Sequence, residues 1–486
     1  MIDVYIEAKN QIAENRIRYV MKQLLVPIGF PFRFQTVLGK YDGDFSIACV
    51  PENKFKDHAY DGKFDLIIPY CEYNSWLADD VDIKADKVDS IYVLYIGKIP
   101  EYLIHDGKVG FDVINIVFYL LSRQEEHIYK HRDLWNCFSA TYSILYENGI
   151  LGIPIINYYV KFLTSYIQQK LKKLPESKWK DGKSCAVILS HDVDRLPSDY
   201  FSIILDRMLK ARSSPSPVST FISSVRELLA LTQSEKWDLF NWIEKERELG
   251  IHSTFFLAGN TPNRHPDDPY YWIHSKLTYK KKKIPLCCLA KIMEDEGWEI
   301  GLHGSMNSYQ DQELLSKEKD LLIEQTGCSI QGIRQHYLCL DVHKTWQIHE
   351  NLGFSYDTTL GFNERIGFRS GIAFPYKPYD LQNEREYNLL ELPMSIMDSS
   401  LFSDKGEKLD YYKSIQRYIK LFDNVKQTEG LLVINFHPHY CDNTHHDWWA
   451  LYEFILKHIT ESSVWIATGK EIADWWRKKQ KRLQVK

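Results

Sequence analysis

No apolar run in the 486 residues approaches the roughly 18 that a bilayer-spanning helix needs. The first ten residues, M-I-D-V-Y-I-E-A-K-N, lack the cationic start and apolar core of a secretory leader. A cytoplasmic chain with no integral membrane segment is therefore expected. Nine cysteines (Cys49, Cys71, Cys137, Cys185, Cys287, Cys288, Cys328, Cys339 and Cys441) form no C-x-x-C pair and show no zinc-finger spacing, so they read as reduced thiols. Excess charge is also missing. A net charge of -5, with 26% charged and 44% hydrophobic residues, describes a globular chain and gives no footprint for nucleic acid. The phosphate-cradling pattern G-x-x-x-x-G-K does not occur either, so nucleotide binding is not supported and no organic cofactor is implied.

The length suits two or three domains, and the pattern breaks near residue 180. Short β-like runs at Val4 to Ile6, Phe45 to Val50, Leu66 to Ile68 and Ile91 to Ile96 precede a helical stripe at Ile114, Val117, Phe118 and Leu121. They predict a smaller N-terminal α/β domain over 1–175. The lysine-rich stretch 171–184, with Pro175 and Gly182, reads as a linker. Over 183–486, apolar strand-like runs alternate with helix-length segments. Seven or eight βα units with continuous rather than alternating apolar strands predict a parallel sheet covered on both faces, closed into a distorted (β/α)7-8 barrel.

The first of those runs, I-L-S-H-D-V-D-R, stops in two aspartates one residue apart. Side chains alternate along a strand, so Asp192 and Asp194 share a face, while His191 faces away. Like charges so placed need a metal ion, a proton or an arginine to neutralise them. In such a barrel the chemistry gathers at the carboxyl ends of the strands. Those ends carry Asp192, Asp194, His303, Asn307, Arg334, His336, Tyr337, Asp398 and His437, far apart in sequence and converging on one rim.

Asp-x-Asp at strand one, T-F-F-L at strand two, G-L-H-G-S at strand three, Arg-x-x-Tyr at strand four and the late strand-end histidine resemble the polysaccharide deacetylases, the NodB-homology group of carbohydrate esterase family 4. The likeness covers roughly residues 183 to 480. Residues 118–127 and 139–151 are similar to a poorly characterised domain that precedes such barrels in some bacterial proteins. The resemblance implies that Asp192 is the general base, Asp194 and His303 are metal ligands, Arg334 holds the catalytic carboxylate and Tyr337 lines the site. It also implies that His437 is the general acid, with Asp398 orienting it, and that the cofactor is a divalent metal, zinc foremost, with cobalt or nickel as alternatives.

One position departs from the family. The pattern H-[ST]-x-x-H is replaced by H-G-S-M-N, which puts Asn307 where a second metal-binding histidine is usual. An amide oxygen is a weak substitute for imidazole on zinc, and His336 or His191 could supply the missing nitrogen. His439, His445 and His446 read as surface residues beside a helix start capped by Asn443 or Thr444. The loop 361–371, which contains Arg369, suits either contact with a sugar ring or a packed lid. Two functions follow: a metal-dependent hydrolase removing an acyl group, N-acetyl foremost, from a sugar or glycan, or a glycan-binding or regulatory protein on a barrel with an impaired metal site. The expected partner is a carbohydrate, and the sequence says nothing of oligomeric state.

Overall fold

The computed structural model describes residues 1–485 apart from 36–41, 57–59, 73–81, 130, 134, most of 197–238, 260, 262–264, 266, 270 and 441–444. The N-terminal half is built on a six-stranded sheet. Its strands are β1 (Ile2–Ile6), β2 (Phe32–Gln35), β3 (Phe45–Pro51), β4 (Leu66–Tyr70), β5 (Ile104–His105) and β6 (Lys108–Val109), in the spatial order 2-1-3-4-6-5. The first four run parallel, and only the terminal β5–β6 pair is antiparallel. Helix α1 (Gln11–Ile28) starts at Asn10, whose side chain accepts from the Ala13 amide, and ends at Gly29 in a left-handed conformation. Helix α2 (Val113–Leu121) carries the expected apolar stripe and buries nearly all of it.

The second half is a nine-stranded parallel sheet. It comprises β7 (Ala186–Asp192), β8 (Thr254–Ala258), β9 (Glu299–Gly304), β10 (Gly332–Gln335), β11 (Tyr356–Asp357), β12 (Leu390–Glu391), β13 (Ile396–Met397), β14 (Leu431–Asn435) and β15 (Trp465–Ile466). The spatial order is 12-11-10-9-8-7-14-13, with β15 beside the start of β7. Its ends, β12 and β13, are consecutive in the chain and separated only by residues 392–395, yet they do not pair. The sheet is thus a curled half-barrel with one seam rather than a fully closed barrel. Pro393 falls in that seam, where a residue without an N–H cannot extend a ladder.

The segment 171–184 is more than a tether. Trp179 is fully buried against Trp465 and Trp476, and its indole donates to the Glu429 carbonyl. One apolar core runs through both halves, from Ile2 and Val4 to Ile333 and Trp476. Among the described residues, no helix is long and apolar enough to cross a membrane.

Candidate active site

β7, β9, β10 and β14 lie near one another in the sheet, so the residues at their carboxyl ends meet. The register pairs His303 with Arg334 and Asn435 with Ser190. Around them opens a cavity of about 400 Å³, whose lining includes Asp192, Asp194, His336, Tyr337, His437 and His439.

The two aspartates have separate partners. Asp192 is buried, with Oδ1 accepting from Arg334 Nη1 at 2.9 Å and Oδ2 accepting from Asn435 Nδ2 at 2.8 Å. Arg334 is itself locked, donating also to Ser190 Oγ, Asn435 Oδ1 and Thr358, with its guanidinium 4.6 Å from the Phe256 ring centroid. Burial opposes ionisation of Asp192, but Arg334, His303 and His437 together outweigh it and hold the carboxyl below its usual range.

Asp194 faces two imidazoles instead. Its Oδ1 lies 3.3 Å from His303 Nε2 and 3.8 Å from His336 Nε2, and ligand atoms of all three residues fall within 4.8 Å of one another. Among the described residues, Asp194 Oδ1 and His303 Nε2 are buried without a hydrogen-bond partner. The other ring nitrogen, His303 Nδ1, is 3.0 Å from the Arg334 carbonyl. That contact makes Nδ1 the donor and leaves Nε2, which faces Asp194, as the ring atom that could hold a cation. His336 Nδ1 points at Asp268 Oδ1, 3.5 Å away, and Asp268 is fixed by the amides of His265 and Met306. Two orphaned buried atoms, an oxygen and an imidazole nitrogen, with carboxylate backing on a second imidazole, fit a divalent cation. A His₂Asp donor set leaves a fourth position open, as a hydrolytic zinc site requires.

His437 forms the opposite wall. Its Nδ1 is 2.6 Å from Asp398 Oδ1 and its own amide donates to Asp398 Oδ2. Nε2 then points inward, 3.7 Å from Asp194 Oδ2 and 3.9 Å from Asp192 Oδ2. Burial disfavours the imidazolium, yet Asp398, Asp194 and Asp192 together push its pKa up to about 10.

Three sequence expectations need correction. Asn307 is exposed and does not join the cluster. The chain leaves β9 through a turn at 306–307, and helical geometry begins only at Ser308, so a residue four after His303 does not come back over it. Arg369 does not reach the cavity. It is buried, with Nε and Nη2 on the two oxygens of Glu126 and Nη1 on the Gly361 carbonyl, so the loop 361–371 is a packed element. His439 lines the cavity rather than the outer surface. Asn443 and Thr444 lie outside the described residues, and the residue preceding the helix His446–Thr460 is His445. His191 faces outward as alternation requires, with Nε2 2.8 Å from Glu246. Sequence reading missed Asp268, Asn435 and Trp135. Asn435 was within reach, since it ends β14 as Asp192 ends β7. Asp268 and Trp135 sit on loops that no periodicity marks.

Residues 4–172 match a family of unknown function, DUF7033. No curated protein matches the chain. Among solved structures, a candidate polysaccharide deacetylase from Mycobacterium smegmatis is similar at 22% identity and TM-score 0.41, over 62% of this chain and 93% of that one. The allantoinase PuuE is similar at 15% identity and TM-score 0.42, over 63% and 94%. The polysaccharide deacetylase Bc1974 from Bacillus cereus is similar at 12% identity and TM-score 0.27, over 58% and 91%.

Proposed function

We propose that the chain is a metal-dependent hydrolase that removes an acyl group, N-acetyl foremost, from a sugar. One observation carries this reading: a His₂Asp cation cluster, an arginine-held carboxylate and an aspartate-oriented histidine all converge on one cavity. Asp194, His303 and His336 would hold the ion, with zinc the best match to this donor set and cobalt or nickel as alternatives. When bound, a divalent ion supplies Lewis acidity, polarising an acyl carbonyl and lowering the pKa of water.

The chain's own groups do the proton work. Asp192, its oxygens fixed by Arg334 and Asn435, takes the proton of the attacking water. His437, held through Nδ1 by Asp398, passes a proton from Nε2 to the departing nitrogen as the C–N bond breaks. Asp398 holds that imidazole with its protonated Nε2 facing the cavity. The alternative of an impaired metal site rested on Asn307 as the third ligand. His336 supplies a third donor, which favours the enzyme.

The test is acyl release from an N-acetylated sugar oligomer by the zinc-loaded protein. Asp192→Asn and His437→Ala are each expected to lower the rate by about 10²-fold or more while retaining fold and metal, the scale of a lost acid or base. A loss under about tenfold in either would reassign the roles.

A further inference from the structure

The cavity lining does not come from the barrel alone. Trp135, from the N-terminal half, lines it and stacks on Tyr337 with ring centroids 5.1 Å apart and planes 15° from parallel. The exposed Lys405, which also lines the cavity, lays its ammonium 4.4 Å from the indole centroid. This wall is anchored. Asn363 Nδ2 donates to the Tyr337 carbonyl at 2.7 Å, Asn136 Nδ2 to Tyr309 Oη at 2.8 Å, and Glu364 accepts from Ser139 Oγ and the Ala140 amide at 2.6 Å. Cys137 Sγ is also 3.4 Å from the Tyr337 carbonyl. Tyr337 and Leu338 are both left-handed, at φ 53° and 55°, which costs non-glycine residues about 1–2 kcal/mol each.

We infer that Trp135 is a substrate-specificity residue, through which the N-terminal half makes the cavity a chamber for a single acylated sugar, free or at a chain end, rather than a cleft for a running polymer. The inference rests on the deacylase reading of the same site. Aromatic walls suit the apolar faces of sugar rings, and an exposed cation–π contact worth about 0.5–1 kcal/mol is weak enough for a sugar to displace Lys405 from the indole. The volume of about 400 Å³ sits near the bottom of the roughly 300–1,000 Å³ span of small-ligand pockets. That accommodates one sugar with its acyl group, and Trp135 is the aromatic side chain that the N-terminal half adds to the lining.

The experiment compares N-acetylglucosamine with its β-1,4 tetramer on zinc-loaded wild type, Trp135→Ala and Trp135→Phe. Binding is measured by calorimetry in an Asp192→Asn background and turnover in the active one. Wild type should favour the monosaccharide, and Trp135→Ala should shift the monomer-to-tetramer preference by about tenfold towards the tetramer, the scale of one lost aromatic contact. Trp135→Phe, which keeps a ring in the wall, should stay within about threefold of wild type. An unchanged preference in a folded Trp135→Ala protein, or a wild type that favours the tetramer, overturns the inference and leaves the deacylase standing. Length-selective binding without turnover supports the inference and sinks the deacylase. Neither binding nor turnover sinks both.

Discussion

His336 and Asn307 show how one side chain decides what the site can hold. The residue after β10 brings an imidazole to Asp194, with Asp268 at its other nitrogen, whereas Asn307 sits on an exposed turn. Zinc titration of the apo protein should therefore show His336→Ala losing affinity by well over tenfold, because an imidazole donor is lost, and Asn307→Ala unchanged within about twofold. Asn307→His should add little, since the backbone turns that position away. Equal affinities across all three variants would mean that His336 does not reach the metal. At this scale, most of the site was legible. Asp192, Asp194, His303, Arg334 and His437 are strand-end residues, and strand alternation fixes which way such residues point.

At the scale of the element, the base of β9 carries a group with an unusual titration. Glu299 is buried, and burial pushes its pKa up to about 7 although the Lys470 amide, Thr254 Oγ1 and Tyr356 Oη all donate to it. A folded carboxyl raised above its unfolded value of 4.5 binds a proton that the unfolded chain has released. Its contribution to stability is thus complete below about pH 4.5, falls as pH rises towards 7 and is constant above that. Glu299→Gln mimics the protonated form. In urea denaturation the variant should gain about 2–3 kcal/mol relative to wild type between pH 5 and pH 8. A pH-independent difference would show that Glu299 titrates normally in the fold. The strand itself was evident from E-I-G-L-H, but the altered proton affinity was not, because it comes from burial beneath elements brought in from elsewhere in the chain, β11 and the last helix among them.

For the molecule as a whole, the joint between the halves is a buried ion network. Arg123 and Arg369 share Glu126, Glu125 accepts from Arg123, and all four side chains are about 1% exposed or less. Burial raises the cost of Glu126 being charged, yet the Arg369 and Arg123 guanidiniums hold its pKa down at about 2. Removing one member leaves buried charge uncompensated, which typically costs about 3–5 kcal/mol. Glu126→Gln should lower the unfolding free energy by that amount, read from the urea midpoint. Wild type should unfold in one transition, because the apolar core is continuous across the joint. Two transitions, with the barrel unaffected by Glu126→Gln, would show that the halves are energetically independent.

Taken alone, the sequence determined the elements and the residues gathered at their ends. Period-two and continuous apolar runs place β3, β7, β8, β9 and β14 because strand geometry is local. The motif residues follow, since they sit one or two positions past the apolar run. The tertiary structure decided whatever depends on where a turn goes or on what is brought in from elsewhere. It turned Asn307 outward and His336 inward, committed Arg369 to Glu126, left a seam between β12 and β13, and set Trp135 in the cavity wall. Each of these is fixed by contacts between residues far apart in the chain, and hydrophobic periodicity carries no information about such contacts.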